Sequence, residues 1–160
     1  MKGQEFELEN FAKFGKNFQE KLVQCMFYDR SFYDQMSDIF DIYFLELKYL
    51  RLFYSRLAGY RSTYEKHPSV DIMTSVIKTE LDDETEVVKK QVRDYFARIA
   101  VTNVVEDSEY VKATALDFCK KQKLKEAIMK SVGLLKTSSF DEIKEVIDSA
   151  MKLGLDNKDR

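Results

Sequence analysis

Few side chains of this 160-residue sequence have the types and spacing that chemistry requires. His67 is the only histidine, and it precedes a proline with no cysteine nearby and no acid at a ligand spacing. We expect it to have a surface or capping role. Asp82, Asp83, Glu84 and Glu86 carry enough charge to attract a divalent cation, but their spacing fits no calcium loop. They are better suited to the solvated first turn of a helix.

The sequence contains neither of the glycine-rich motifs that cradle nucleotide phosphates, G-x-x-x-x-G-K-[ST] and G-x-G-x-x-G. We therefore expect this chain to hold no catalytic residue, no metal site and no cofactor. The prediction is that it is not an enzyme.

Two basic stretches are candidates for contact with a partner. In the first, arginines and tyrosines alternate as they do in stacking sites for single-stranded nucleic acid: Arg51, Tyr54, Arg56, Tyr60, Arg61 and Tyr64. Tyrosines on an apolar helix usually belong to the core, so we favour a core role. The second and denser stretch comprises Lys120, Lys121, Lys123 and Lys125. It is either a solvated helix face or a contact for nucleic acid or an acidic partner.

Composition narrows the class of protein. A net charge of −2 and a pI near 5.6 argue against a dedicated binder of nucleic acid or anionic membranes. No apolar run approaches the ~20 residues that span a bilayer, and we expect a cytoplasmic protein. Cys25 and Cys119 are expected to be two buried thiols rather than a disulfide. Five glycines, one proline and few alternating runs favour an all-α fold.

Helical periodicity predicts a compact multi-helix head, residues 1–104, followed by a long helical hairpin, residues 105–154. Asn17 and Ser31 are the expected caps of two early helices. The longest head helix is apolar around most of its circumference, which is typical of a central helix. The expected head helices cover about residues 5–14, 17–28, 31–40, 43–66, 69–81 and 82–99.

The hairpin is predicted to turn at residues 136–138. Ser139 and Glu142 form a capping box for the second arm, and Gly154 is expected to end it. The first arm carries an apolar stripe of Tyr110, Leu116, Phe118, Leu124, Ile128, Val132 and Leu135, and the second carries Phe140, Ile143, Val146, Ile147, Ala150, Met151 and Leu153.

These two stripes are wider than a single contact between two helices would cover. We therefore expect the hairpin to associate with another copy of the chain. The predicted interface consists of Leu124, Ile128, Leu135, Phe140, Ile143, Ile147 and Met151.

The order of elements resembles the N-terminal domain of DnaB-type replicative DNA helicases, in particular the divergent phage forms. The resemblance rests on the helix from Phe18 to Asp29, the short and long helices after it, and Pro68-Ser69-Val70-Asp71-Ile72. It also rests on a hairpin whose first arm carries a basic run from Phe118 to Lys125, and whose second arm opens with the Ser139 to Glu142 cap. It covers about residues 18–154.

The resemblance implies a non-catalytic module. In that family the hairpins of neighbouring subunits pair, and the domains form a collar on a hexameric ring where primase or a helicase loader docks. By the same resemblance, residues 155–160 would begin a linker to a separate motor domain that uses ATP and magnesium. The expected setting is the cytoplasm of a bacterium or a phage-infected cell. The four lysines from Lys120 to Lys125 are the candidate docking residues, and the domain itself is not expected to bind DNA strongly.

Two other functions remain open. One is a free-standing all-helical adaptor, such as a helicase loader or a small phage DNA-binding protein. The other is an enzyme whose site is assembled from scattered acids. The helicase and adaptor hypotheses differ in whether the natural reading frame continues past Arg160 into a phosphate-loop motif.

Overall fold

A computed structural model describes residues 9–136 and 140–158, and throughout these ranges the regular structure is helical, as predicted. Short 3₁₀ turns occupy Phe11–Phe14 and Ile42–Phe44. The α-helices of the described ranges are α1 (Lys16–Tyr28), α2 (Arg30–Ser37), α3 (Lys48–Tyr64), α4 (Val70–Thr79), α5 (Glu86–Ile99), α6 (Ser108–Leu135) and α7 (Phe140–Lys158).

Two predicted helix caps are each wrong by two residues. Helix α1 begins after Gly15, whose φ of +91° suits a residue without a side chain, so Asn17 lies inside the helix. Asp29 ends α1 and also caps α2, because its carboxylate accepts the backbone N–H of Phe32 at 3.1 Å. Ser31 therefore lies within α2 and caps nothing.

The central helix α3 begins at Lys48, five residues later than predicted. The Asp41 side chain accepts the backbone N–H of Tyr43 and caps a 3₁₀ turn there. The Arg51 guanidinium then donates to the carbonyls of Leu45 and Glu46, at 2.7 and 3.0 Å. These bonds give the backbone groups before α3 hydrogen-bond partners outside a helix. The apolar stretch before Lys48 can therefore remain irregular, although its spacing is helical.

The segment before α1 belongs to the core, although its sequence predicted only a weak helix. The Phe11 side chain is fully buried, and its ring centroid lies 4.6 Å from that of Phe118 on α6. Four other rings surround it: Phe14, Phe18, Phe40 and Phe44. This aromatic cluster joins the N-terminal segment, the head and the first half of α6.

A buried carboxylate joins three head helices. Glu20 of α1 is 8% exposed, and both of its oxygens accept from the Arg98 guanidinium of α5, at 2.8 and 3.0 Å. The Tyr49 hydroxyl of α3 also donates to this carboxylate, and the Tyr95 hydroxyl donates to the Glu20 carbonyl. Burial would raise the pKa of Glu20, but the hydrogen bonds from Arg98 and Tyr49 outweigh it and hold that pKa below the ordinary value.

Helix α6 is shared between the head and the hairpin. Its first half packs on α1 and α2, where Lys112 forms an ion pair with Asp29 at 2.5 Å. Its second half packs on α7. The predicted turn at 137–138 and the Ser139 cap lie outside the described residues. The predicted stop at Gly154 is wrong, because α7 continues to Lys158 and residues 155–158 are helical. One glycine inside a helix costs only about 1 kcal/mol, which packing can offset.

We predict that Glu20→Gln lowers the free energy of unfolding at pH 7 by about 2 kcal/mol, because it removes charge-assisted hydrogen bonds to a buried carboxylate. Urea denaturation measures this difference. Since the folded pKa of Glu20 lies below its ordinary 4.5, the stabilisation is complete above that pH and is lost as the pH falls through the folded value. The gap between the two proteins should therefore close in acid.

The matched control is Asp94→Asn, which removes an exposed ion pair to Lys90 within α5. Such pairs contribute roughly 0.5 kcal/mol or less. Equal losses for Glu20→Gln and Asp94→Asn would contradict the role given to the buried carboxylate.

Candidate functional site: the helical hairpin

On the α6 side, the two arms of the hairpin meet through small residues. On α6, Ala127 and Ser131 are buried, and the Ser131 hydroxyl donates to the Ala127 carbonyl at 2.8 Å. On α7, the half-buried side chains are Ile143, Val146, Ile147, Ala150 and Leu153. Small residues let the arms approach closely, but they leave the larger side chains on either side of the contact with little cover.

Much of the predicted stripe on α6 is exposed. Leu124, Ile128, Val132 and Leu135 follow one another at spacings of four, four and three, so they lie on one side of the helix. On α7, Phe140 and Met151 stand three turns apart and share a side. All six of these side chains are between 40 and 74% exposed.

The opposite side of the hairpin holds a groove of about 520 Å³. Its lining includes Lys123, Glu126, Lys130, Val146, Ser149 and Leu153, together with Ala127 and Ala150 at the contact itself. Apart from Met129, which also lines the groove, the exposed large apolar residues in the outer part of both arms lie on the other flank, beside the half-buried Ile147. We call this second flank the hairpin apolar face: Leu124, Ile128, Val132, Leu135, Phe140, Ile147 and Met151.

Six of the seven residues predicted for an interface between copies belong to this face. The seventh, Ile143, is half-buried against the other arm. Val132 was in the predicted stripe but not in the predicted interface, although its spacing of four from Ile128 would have placed it there.

The side of α6 that packs on the head was not predicted. It consists of Val111, Ala115, Phe118, Cys119 and Gln122, all buried. Of the stripe residues in this half, only Phe118 is buried, Leu116 is partly buried, and Tyr110 is 63% exposed. Gln122 lies within the basic run, and its amide oxygen accepts the backbone N–H of Glu9 at 3.2 Å.

The four candidate docking lysines divide between the two flanks of α6. Lys121 and Lys125 share the side of Leu124 and Ile128, at the head end of the hairpin apolar face. Of the other two, Lys123 lines the groove, and Lys120 borders a separate cleft between α6 and α2. Three of the four form ion pairs within the chain, Lys121 with Asp117, Lys123 with Glu126 and Lys125 with Glu9, at 3.0 to 3.4 Å.

His67 has a defined structural position. Its Nδ1 lies 2.7 Å from the Arg61 guanidinium, and its Nε2 lies 2.8 Å from the Met26 carbonyl. Because a guanidinium only donates and a carbonyl only accepts, the ring is neutral with its proton on Nε2. Burial, and to a smaller extent the Arg61 charge, lower the pKa of His67 below its ordinary value. The ring thus joins the α3–α4 connection to α1.

The other chemistry-bearing residues do not converge. Glu84 pairs with Lys48 and Glu86 with Lys89, and within residues 9–136 and 140–158 no three metal-ligating side chains form a cation site. Cys25 and Cys119 are free and buried, as predicted. Burial raises the pKa of Cys25 to about 11 and that of Cys119 further, so both stay protonated at neutral pH.

None of the helices in the described ranges is both long and apolar enough to cross a membrane. Comparison of the chain with protein-family models, with curated proteins and with solved structures finds no match.

We predict that the stability of the protein falls as the pH is lowered below about 6.5, because the unfolded chain then takes up a proton that folded His67 resists. Urea denaturation at a series of pH values measures this. In His67→Gln the side chain can still accept from Arg61 and donate to Met26 without titrating, so the decline in this pH window should disappear. No other histidine exists to mask the effect. An unchanged decline in the variant would contradict the assignment.

Proposed function

We propose that this chain is a non-catalytic assembly and docking module, the N-terminal collar domain of a DnaB-type replicative DNA helicase. In this proposal the hairpin pairs with that of a second copy. Primase or a helicase loader then docks on the assembled collar in the cytoplasm of a bacterium or a phage-infected cell.

The hairpin apolar face is the observation that carries the self-association part of the proposal. Contiguous exposed apolar patches are rare on monomeric soluble proteins and mark sites of protein contact. Here the patch lies on both arms of a projecting hairpin, where a second copy can cover it without disturbing the head. Phe140, Leu135 and Met151 are more than half exposed, so burying them against a partner yields a hydrophobic gain.

The order of elements supports the helicase assignment. A helical head is followed by two long arms, α6 of 28 residues and α7 of 19. The aromatic cluster around Phe11 and the Lys112–Asp29 ion pair hold the first half of α6 on the head. This arrangement suits a collar, because the hairpin is positioned by the fold and its outer half is free to pair.

The ion pairs of the basic run bear on the choice between docking and DNA binding. DNA affinity depends on cations that neutralise phosphates, and three of the four lysines already face acids of their own chain. A protein partner needs only a few charges at the rim of an apolar contact, where they act mainly on the association rate. This favours the collar over the DNA-binding adaptor.

We predict that the parent chain forms dimers or larger rings and that Ile128→Glu shifts it toward the monomer, with a dimer dissociation constant raised at least ~100-fold by the burial of an unpaired carboxylate. Light scattering across a concentration series measures this.

Met129→Glu is the matched control. Met129 is the next residue, has nearly the same exposure (37% against 42%) and lines the groove on the other flank. It should leave the assembly intact. A parent chain that stays monomeric at high concentration would rule out assembly through the hairpin. Equal effects of the two changes would place the contact elsewhere.

We predict that Lys121→Glu combined with Lys125→Glu slows capture of the cognate primase at least ~tenfold at low salt, because it reverses the charge at the head end of the face. Stopped-flow binding measures the rate, and the same samples are titrated with single-stranded DNA. Lys120→Glu combined with Lys123→Glu reverses instead two charges outside the hairpin apolar face.

If only the Lys121→Glu and Lys125→Glu double variant captures primase more slowly, the result supports docking beside the hairpin apolar face. Tight, salt-sensitive DNA binding that either pair abolishes would favour the adaptor. If neither pair affects either partner, the lysines are a solvated helix face and the docking assignment fails.

A further inference from the structure

The groove between the two arms of the hairpin continues into the head. Its lining includes Lys123 and Glu126, and the same two residues line a cleft of about 310 Å³ against the head. The head side of this cleft is formed by the segment before α3: Ile39, Phe40, Asp41, Ile42 and Phe44. We call the groove and the cleft together the extended groove. It follows α6 from the head to Lys130 and lies outside the hairpin apolar face.

The hairpin part of the extended groove has the form of a seat for a third helix. Each arm lines it at spacings of three, four and seven: Lys123, Glu126, Ala127 and Lys130 on α6, and Val146, Ser149, Ala150 and Leu153 on α7. Small residues lie at the contact between the arms, and larger ones stand on both sides. Met129 also lines the groove and is 37% exposed. A methionine side chain adapts its shape to an apolar partner.

The backbone around the extended groove favours a helical occupant over an extended one. The N–H and C=O groups of α6 and α7 are bonded within their own helices along this stretch, so an extended peptide finds no strand edge to pair with. A helix satisfies its own backbone groups and needs only side-chain contacts. The distance from Lys123 to Lys130 is roughly 10 Å along the axis of α6. A helix that also reaches the cleft at the head needs about three turns or more.

The two ends of the extended groove carry opposite charges. Lys130, at the outer end, is exposed and has no ion-pair partner. Asp41, at the head end, is also exposed, and it uses one carboxylate oxygen to accept the backbone N–H of Tyr43. Between the two ends, Lys123 and Glu126 neutralise each other at 3.4 Å. The uncompensated charges are therefore a lysine at one end and an aspartate at the other.

We propose that the extended groove binds an amphipathic helix of a partner protein, with acidic residues in the first turn of that helix and basic residues in its last. The acids lie against Lys130 and the bases against Asp41, so the bound helix runs antiparallel to α6 and parallel to α7. Its apolar stripe packs on Met129, Val146 and Leu153. Acids in a first turn and bases in a last turn also complement the helix dipole, so the same charges stabilise the helix and orient it.

This inference is independent of the proposed function. The hairpin apolar face lies on the other flank, so pairing of two copies through that face leaves the extended groove open. The Lys121 and Lys125 side chains, which are the proposed docking charges beside that face, do not line the groove. The extended groove can therefore be occupied whether or not the hairpins pair.

The test uses the complete chain with ¹³C-labelled methionine methyl groups. Met129 lies in the extended groove and Met151 on the hairpin apolar face, so their signals report on opposite flanks. The first probe is a synthetic helical peptide of about 14 residues, with a leucine stripe, glutamates in its first turn and lysines in its last. The second probe has the two sets of charges exchanged. Both peptides carry a hydrocarbon staple, so that the exchange does not change their helix content.

We expect the first peptide to shift the Met129 signal saturably and to leave that of Met151 unchanged. The charge-exchanged peptide should bind ~threefold more weakly or worse, because both of its ends face like charges. Met129→Glu should weaken binding of the first peptide at least ~tenfold, because it places an unpaired carboxylate in an apolar contact.

Charge variants of the protein test the orientation of the bound helix. Lys130→Gln and Asp41→Asn should each reduce the preference for the first peptide over the second. Asp41→Asn keeps an oxygen that can accept the Tyr43 N–H, so the local fold is retained. The control is Lys78→Gln, at an exposed lysine of α4 outside the groove, which should change neither affinity.

Four results would overturn the proposal. The first is no shift of the Met129 signal with the first peptide. The second is a shift of the Met151 signal alone, which would place the peptide on the hairpin apolar face. The third is equal affinity for the two peptides, which would remove the orientation by charge. The fourth is loss of assembly in Met129→Glu by light scattering, which would make a second copy of the chain the occupant of the groove.

Discussion

The attachment of one half of α6 to the head is the constraint on which the rest of the molecule depends. The Phe118 ring is inserted among Phe11, Phe14 and Phe44, and Lys112 reaches Asp29 at the α1–α2 junction. These contacts fix the direction of a single 28-residue helix, and its outer half packs on α7. Because α6 contributes the small side chains Ala127 and Ser131 to that contact, the larger leucine and isoleucine side chains beside them on α6 stay exposed. The exposed apolar face is thus a consequence of how the hairpin closes.

Helical periodicity predicted the fold class, the head, the hairpin and most helix positions, because it reports which residues are apolar and how they repeat. It does not report which of two apolar sides faces which neighbour. On α6 the sequence offers Val111, Ala115, Phe118 and Cys119 on one side and Leu124, Ile128, Val132 and Leu135 on another. The single apolar stripe predicted for α6 therefore combined residues of the first half, which packs on the head, with residues of the second half, which are exposed. Gln122 shows why a polar residue type does not reliably predict exposure. This side chain is buried because its amide oxygen accepts the backbone N–H of Glu9, which lies more than a hundred positions away in sequence.

Local hydrogen bonds account for the errors at the helix starts, and long-range packing accounts for the N-terminal segment. Asp41 and Arg51 hold residues 42–47 outside α3 by bonds that no periodicity contains. The segment around Phe11 has too short a pattern to predict burial, yet its ring is central to the aromatic cluster. In the candidate site, most residues of the exposed apolar face were predicted correctly. The apolar stripes on the two arms are wider than one contact between helices can bury, and the sequence shows this width. It placed the four lysines in one group, although the helix turns 100° per residue and divides them.

In the proposed assembly, pairing of the hairpins is thermodynamically coupled to the structure of each hairpin. The outer halves of α6 and α7 gain little from the head, so their helical structure relies on a contact between arms that, among the described residues, fully buries only Ala127 and Ser131. Isolated helical segments of this length are marginal in water. In the proposed assembly, a second copy that covers the hairpin apolar face would bind only the formed hairpin, and by mass action it would stabilise that form over frayed ones. The head, by contrast, is held by its own aromatic core and by the buried Glu20 carboxylate. In the proposed assembly the head is therefore the stable platform, and the hairpin completes its packing through association.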